Sequence, residues 1–297
     1  MSHLSDYSFL QRASGLGFLL VWLLYRLFAT KGYHCFYLSK FKKGDLKSVV
    51  TTSIFIMLPF QLYYDIVTCK IKYEEGFVPI EGKILTKPES LWSTADRDLV
   101  IPTDYSLCIG FSMQIGTLLL LQCFWKYLAK MVAKARFMSS KEFRFYILMT
   151  ALNVILFPLV QYNFSQEGVY DSTLKEIIPQ LIYGLELLLI SMLGIVSHFR
   201  FNKLLGNTYY HPNHNPRSMS HRIKYYQELN LLLSASLFTF SVCFIILSSD
   251  GLSQSKTINS NKFASDFLIC NVNVLSVVIW MLVVLIIHPK KQNSYED

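Results

Sequence analysis

Seven stretches of about twenty residues, almost free of charge, dominate this 297-residue sequence. They lie at 9–29, 49–69, 105–125, 145–164, 177–199, 229–247 and 267–288. The third, fourth, sixth and seventh contain no Asp, Glu, Lys or Arg at all. The first is uncharged only over a shorter run, and reaches full length if Arg12 snorkels to the interface. In hydrocarbon every backbone polar group must be satisfied internally, so a stretch of this length and polarity spans as a helix. Charged residues make up 16% of the chain, against roughly 25% in an ordinary soluble domain, too few to cover a soluble surface. The expected architecture is therefore an all-α integral membrane protein, a seven-transmembrane-helix bundle forming one domain over 1–297.

Orientation follows from the loops. Eighteen of the 28 Lys and Arg residues fall in the first, third and fifth loops and after the last span, and nine on the other side. Arg26, at the inner end of the first helix, is the remaining one. Basic loops stay in the cytosol, which sets the N-terminus outside and the C-terminus inside. An odd number of spans demands the same arrangement of the two ends. The first apolar run lacks a basic leader and a small-residue cleavage site, so it is expected to act as an uncleaved anchor. The net charge of +8 is accounted for by cytosolic loops facing anionic membrane lipids, and implies no nucleic acid partner. Plasma membrane and endomembrane are both compatible with these features.

Ionisable side chains at membrane depth mark function, because each costs about 2.5–3.5 kcal/mol to hold there. Glu186 sits in the middle of the fifth span, three residues from Tyr183 on the same helical face. Asp65 lies four residues before the outer end of the second span and pairs in spacing with Gln61. Gln114 in the third span and Asn271 in the seventh fall in the same central or outer zone. Asp65, Gln114, Glu186 and Asn271 are the expected lining of a ligand pocket open to the outside. Gln114, Asn153, Asn271 and Asn273 could all equally hydrogen-bond across helices and hold the bundle together.

Between the second and third spans lies a long loop, 70–103, that mixes six acids with Phe77, Val78, Ile80, Leu91 and Trp92. It reads as a partly ordered lid over the outer mouth, with Val78–Leu85 around Glu81-Gly82 as a short hairpin. Cys69 and Cys108 bracket this loop on the oxidising side and form a candidate disulfide, with other pairings open. On the cytosolic side Lys126, Lys130 and Lys134 recur every fourth residue on a helical extension. With Arg136 they form a candidate contact surface for lipid headgroups or an acidic partner. The fifth loop, about 30 residues rich in His and Tyr, reads as solvated. No cofactor or metal is implied: the only histidines near spans are His198 and His288, both at inner ends, and only His3 lies outside. An enzyme is therefore not expected.

Seven spans, an outer N-terminus, a lidded outer mouth and basic third and fifth loops resemble the topology of G-protein-coupled receptors. The resemblance covers the whole chain, but in topology only. The third span ends Phe124-Trp125-Lys126-Tyr127 where rhodopsin-like receptors carry Asp-Arg-Tyr, and the seventh lacks Asn-Pro-x-x-Tyr. The sixth has no proline and the seventh no lysine for a retinal Schiff base. What the resemblance implies is a divergent receptor that senses an external small ligand and signals to a G protein or other cytosolic partner. The alternative is a proton-coupled transporter or lipid translocator. Fungal lipid-translocating exporters share the seven-span layout, and Glu186 suits proton coupling, but their motifs are not recognised here.

Overall fold

Each apolar stretch forms one continuous helix in the computed structural model, which describes residues 6–30, 32–37, 45–80, 83–87, 89–133, 139–166, 172–210, 216–253 and 255–289. The helices are α1 (Asp6–Ala29), α2 (Leu46–Glu75), α3 (Val100–Ala133), α4 (Ser140–Phe164), α5 (Ser172–Tyr210), α6 (Pro216–Leu252) and α7 (Lys262–Ile287). All seven are long and apolar enough to cross a membrane, so the chain is a multi-pass integral membrane protein. Pro59, Pro158 and Pro179 lie inside α2, α4 and α5 without ending them.

Packing follows chain order around a central helix. Helix α3 touches α2, α4 and α5, while α5 pairs with α6, α6 with α7, and α7 returns to α1. Of the most apolar 18-residue window of each helix, 89% is buried in α3 but only 17% in α4. Helix α3 is thus the core of the bundle, and α4 leaves Leu148, Ile155 and Leu159 for lipid. Closure of the ring at α1 and α7 depends on a close approach. A Cβ on Gly15 would come within 2.9 Å of Val277, and the Asn273 amide donates to the Ser8 carbonyl and hydroxyl, both at 3.1 Å.

Helices α5 and α6 are 39 and 37 residues long. At 1.5 Å per residue each measures about 55–58 Å, nearly twice the hydrocarbon thickness. They therefore run well past the bilayer as an antiparallel pair. The fifth loop, expected as about 30 solvated residues, is mostly helix, with only 211–215 outside the described residues. Its polar composition hides an apolar seam: Phe201, Leu204 and Ile223 are buried there. Trp125 of α3 meets Phe201 and Tyr226 edge-on, with ring centroids 5.3 and 6.1 Å apart. Glu142, which closes a capping box with Ser139 at the start of α4, also accepts from Arg200 at 2.8 Å.

At the opposite end, α2 stops at Gly76, whose φ of 65° turns the chain into a hairpin. Strands β1 (Phe77–Ile80) and β2 (Lys83–Thr86) pair antiparallel with Val78 opposite Leu85, the hairpin read from the sequence. Glu75 anchors the segment beyond the hairpin: its carboxylate accepts from Lys87 Nζ at 2.5 Å and from the Ser93 backbone N–H at 2.6 Å. Trp92 is buried against Ile71 and Val100 and donates to the Lys87 carbonyl at 2.8 Å.

Candidate functional site

A cavity of about 210 Å³ opens between the helices at the hairpin end of the bundle. Helix α1 contributes Ser8, Phe9 and Arg12 to its wall, α2 contributes Tyr64, and α3 contributes Leu107 and Phe111. Glu176, Ile177 and Gln180 come from α5, and Phe244, Leu247, Ser248 and Gly251 from α6. Helix α7 adds Ser265, Ile269, Val272 and Asn273, and the α6–α7 connection adds Lys256 and Asn259. Six of the seven helices thus meet around one space. Concave, mostly apolar walls with a few convergent polar groups are what small-molecule sites have in common.

Arg12 dominates the electrostatics. Its Nε donates to Asp65 Oδ1 at 2.7 Å, and its Nη2 donates to the same oxygen. The guanidinium carbon lies 5.5 Å from the ring centroids of both Phe9 and Tyr64, between two π-faces that favour a cation. Asp65 is fully buried, and its second oxygen, Oδ2, has no hydrogen-bond partner. The ion pair is what permits a carboxylate there, since an isolated charge at that depth would carry several kcal/mol of uncompensated desolvation. Among the described residues nothing accepts from Arg12 Nη1, and Arg12 is one of the residues lining the cavity.

The floor is aromatic. Phe111 stacks on Tyr183 with centroids 4.1 Å apart and planes 12° from parallel. Phe244 meets Tyr183 at 5.6 Å and Phe240 at 5.5 Å, and Phe157 closes against Phe111 at 5.8 Å. Beneath the cavity a polar chain crosses three helices. The Tyr183 hydroxyl donates to Gln114 Oε1, and the Gln114 amide donates to Gln61 Oε1 at 3.1 Å. Gly110 makes room for it, since a Cβ there would stand 3.0 Å from Gln61 Oε1.

The four residues expected to line a pocket are therefore distributed in depth. Asp65 stands behind Arg12 rather than at the wall. Gln114 lies under the floor, held by Tyr183 and Gln61. Glu186 is one turn deeper, off the wall, with its Oε2 buried and unpartnered. At the same level by helix register, Asn153 of α4 is fully buried with neither amide atom bonded. Asn271 turns outward, its amide donating to the Phe267 carbonyl of its own helix at 2.8 Å. Asn273, two positions on, is the asparagine at the cavity.

Three further expectations meet the structure differently. The described residues of the 70–103 segment contribute nothing to the wall; Glu75 and Trp92 tie the segment to the ends of α2 and α3. Lys256 and Asn259 of the α6–α7 connection line the cavity instead. Among the described residues there is no disulfide. The buried Cys108 thiol faces Gln161 Oε1 of α4 at 3.5 Å rather than Cys69. Lys126 packs its ammonium 4.7 Å over the Phe143 ring, while the Lys130 side chain, Lys134 and Arg136 lie outside the described residues. Among the described residues no three His, Cys, Asp or Glu side chains are grouped as metal ligands. No family model, curated protein or solved structure matches the chain.

Proposed function

We propose that this protein is a non-enzymatic, receptor-like membrane protein that binds a small molecule from the non-cytosolic side and signals through the α5–α6 arms to a cytosolic partner. The observation that carries this reading is the closed floor of the cavity. A transporter needs a path that can open to both sides. Here Phe111, Phe157, Tyr183, Phe240 and Phe244 fill the space immediately beneath the site.

In this reading the floor is also the lever. Phe111 and Phe244 touch both the cavity and Tyr183, which sits on α5. Movement of α5 reaches the far end through its contacts with α6 and α3: the Asn230 amide donates to the Gly194 carbonyl at 2.8 Å, and Ser197 donates to Gln122 at 3.0 Å. A ligand that binds one arrangement of this floor better than another shifts the arms by that difference in affinity. The basic loops at that end then suit an acidic cytosolic surface, a G protein among them. Proton-coupled transport is the second reading, favoured by the unpartnered Glu186 and Asn153 deeper in the bundle.

The two readings separate in proteoliposomes. Nitroxide labels at Phe199 and Arg222, both exposed on the arms, report the α5–α6 distance while flux is followed with any compound that raises the melting temperature. A ligand-dependent distance change without flux supports the receptor. Flux above protein-free liposomes, or a rigid arm pair at ligand saturation, overturns it.

A further inference from the structure

We infer that the cavity takes a small organic carboxylate, one with an apolar body about the size of a single aromatic ring. This deepens the receptor reading and rests on its pocket, though not on its signalling. The wall is rich in donors that the protein leaves uncommitted. Arg12 lines the cavity and spends Nε and Nη2 on Asp65, leaving Nη1 without an acceptor among the described residues. Lys256 has no ion-pair partner among the described residues, and the side chains of Gln180, Ser248 and Ser265 have no hydrogen-bond partner there either. Among the described residues one carboxylate, Glu176, stands at the same wall, and Asp65 lies behind Arg12. Asp65 offsets the charge of Arg12, so the preference for an anionic head over an ammonium head rests on Lys256 and on the uncommitted donors at the wall rather than on net charge.

Lys256 is held at the wall at a cost. It adopts φ 42°, ψ 43°, a left-handed conformation unusual for a residue other than glycine. Non-glycine residues persist there only when their surroundings over-determine them, and they cluster at ligand clamps. The surroundings are visible. Asp250 accepts from the Ile258 and Asn259 N–H groups at 3.1 and 2.7 Å and from the Thr257 hydroxyl at 3.2 Å. The Lys256 N–H itself donates to Ser253 Oγ at 3.1 Å. The wall also carries the apolar side chains of Phe9, Phe111, Phe244, Ile269 and Val272. At about 210 Å³ the space exceeds the roughly 150 Å³ cavity that accommodates benzene, which leaves room for a ring and a carboxylate together.

The test uses the full-length protein in lipid nanodiscs, with phenylacetate and octanoate against the near-isosteric phenylacetamide and phenethylamine. Thermal shift over a concentration series supplies affinity. The carboxylates are expected to stabilise the protein, with the amide and amine at least about tenfold weaker, the worth of one charge-assisted hydrogen bond. Lys256→Gln should weaken the carboxylates by a similar factor and leave the amide unchanged, while Lys262→Gln, exposed and off the wall, should change neither. The double variant Arg12→Gln/Asp65→Asn removes the cation while keeping a neutral hydrogen-bonded pair, so lost binding is not confused with lost folding. Equal binding of amide and acid, preference for the amine, or no shift with any of the four overturns the assignment. Carboxylate binding that leaves the α5–α6 arms unmoved sustains it and overturns only the receptor reading.

Discussion

Replacing Asp65 by Asn is the sharpest test of what holds the site together. The carboxylate is fully buried, while the Arg12 side chain lines the cavity and retains 17% exposure. Removing one partner of a buried pair costs about 3–5 kcal/mol, because the other charge is left uncompensated. In Asp65→Asn the orphan is Arg12, which relaxes partly toward the cavity, so the loss should fall near the lower end, about 3 kcal/mol. In Arg12→Gln the orphan is a carboxylate with no route to solvent, so the loss should approach about 5 kcal/mol. The double variant Arg12→Gln/Asp65→Asn buries two neutral amides that can bond each other, and should recover most of both losses. Equilibrium unfolding in mixed micelles of the wild type, the two single variants and the double variant gives the coupling directly. We expect at least about 3 kcal/mol. Losses that simply add, within about 0.5 kcal/mol, would refute the argument that this pair is buried and mutually dependent.

Other outcomes follow from the same geometry. Gly194→Ala drives a methyl into Ser234 at the α5–α6 crossing and should cost about 1–3 kcal/mol of stability by overpacking; adding Ser234→Gly should restore it, as read by thermal denaturation. Tyr183→Phe strands Gln114 Oε1 without its donor, and should lower stability by about 1–3 kcal/mol in the same measurement. Glu75→Gln weakens the bonds that hold Lys87 and Ser93; hydrogen exchange should rise across β1 and β2 and around Trp92 while the bundle's melting temperature stays put.

Hydropathy made the spans legible, since a bilayer imposes one length and one polarity on every crossing. It could not mark where α5 and α6 stop. Beyond the hydrocarbon their helical signal shrinks to a seam of Phe201, Leu204 and Ile223 among polar residues. The hairpin was readable because a Glu-Gly pair divides two short β-prone runs, but its distance from the cavity was not, as that depends on tertiary bonds from Glu75. Within the site, depth was readable and helical phase was not. Asn271 and Asn273 differ by about 200° around α7, and only Asn273 shares the cavity face of Ile269 and Val272. Arg12 by position alone reads as an interfacial residue that snorkels, whereas the structure pairs it with Asp65. The signal for that pairing is in the sequence: Asp65, the one acid in the second span, lies at matching depth in the antiparallel neighbour.

In the proposed orientation the cavity opens away from the cytosol. Lys256→Cys, in a background carrying Cys270→Ser to remove the exposed native thiol, can be labelled in sealed microsomes with their cytosolic face outward. A membrane-impermeant maleimide should reach it only after the vesicles are opened, while a tag after α7 is accessible throughout. Labelling of sealed vesicles at Lys256→Cys would place the mouth on the cytosolic face and contradict the account.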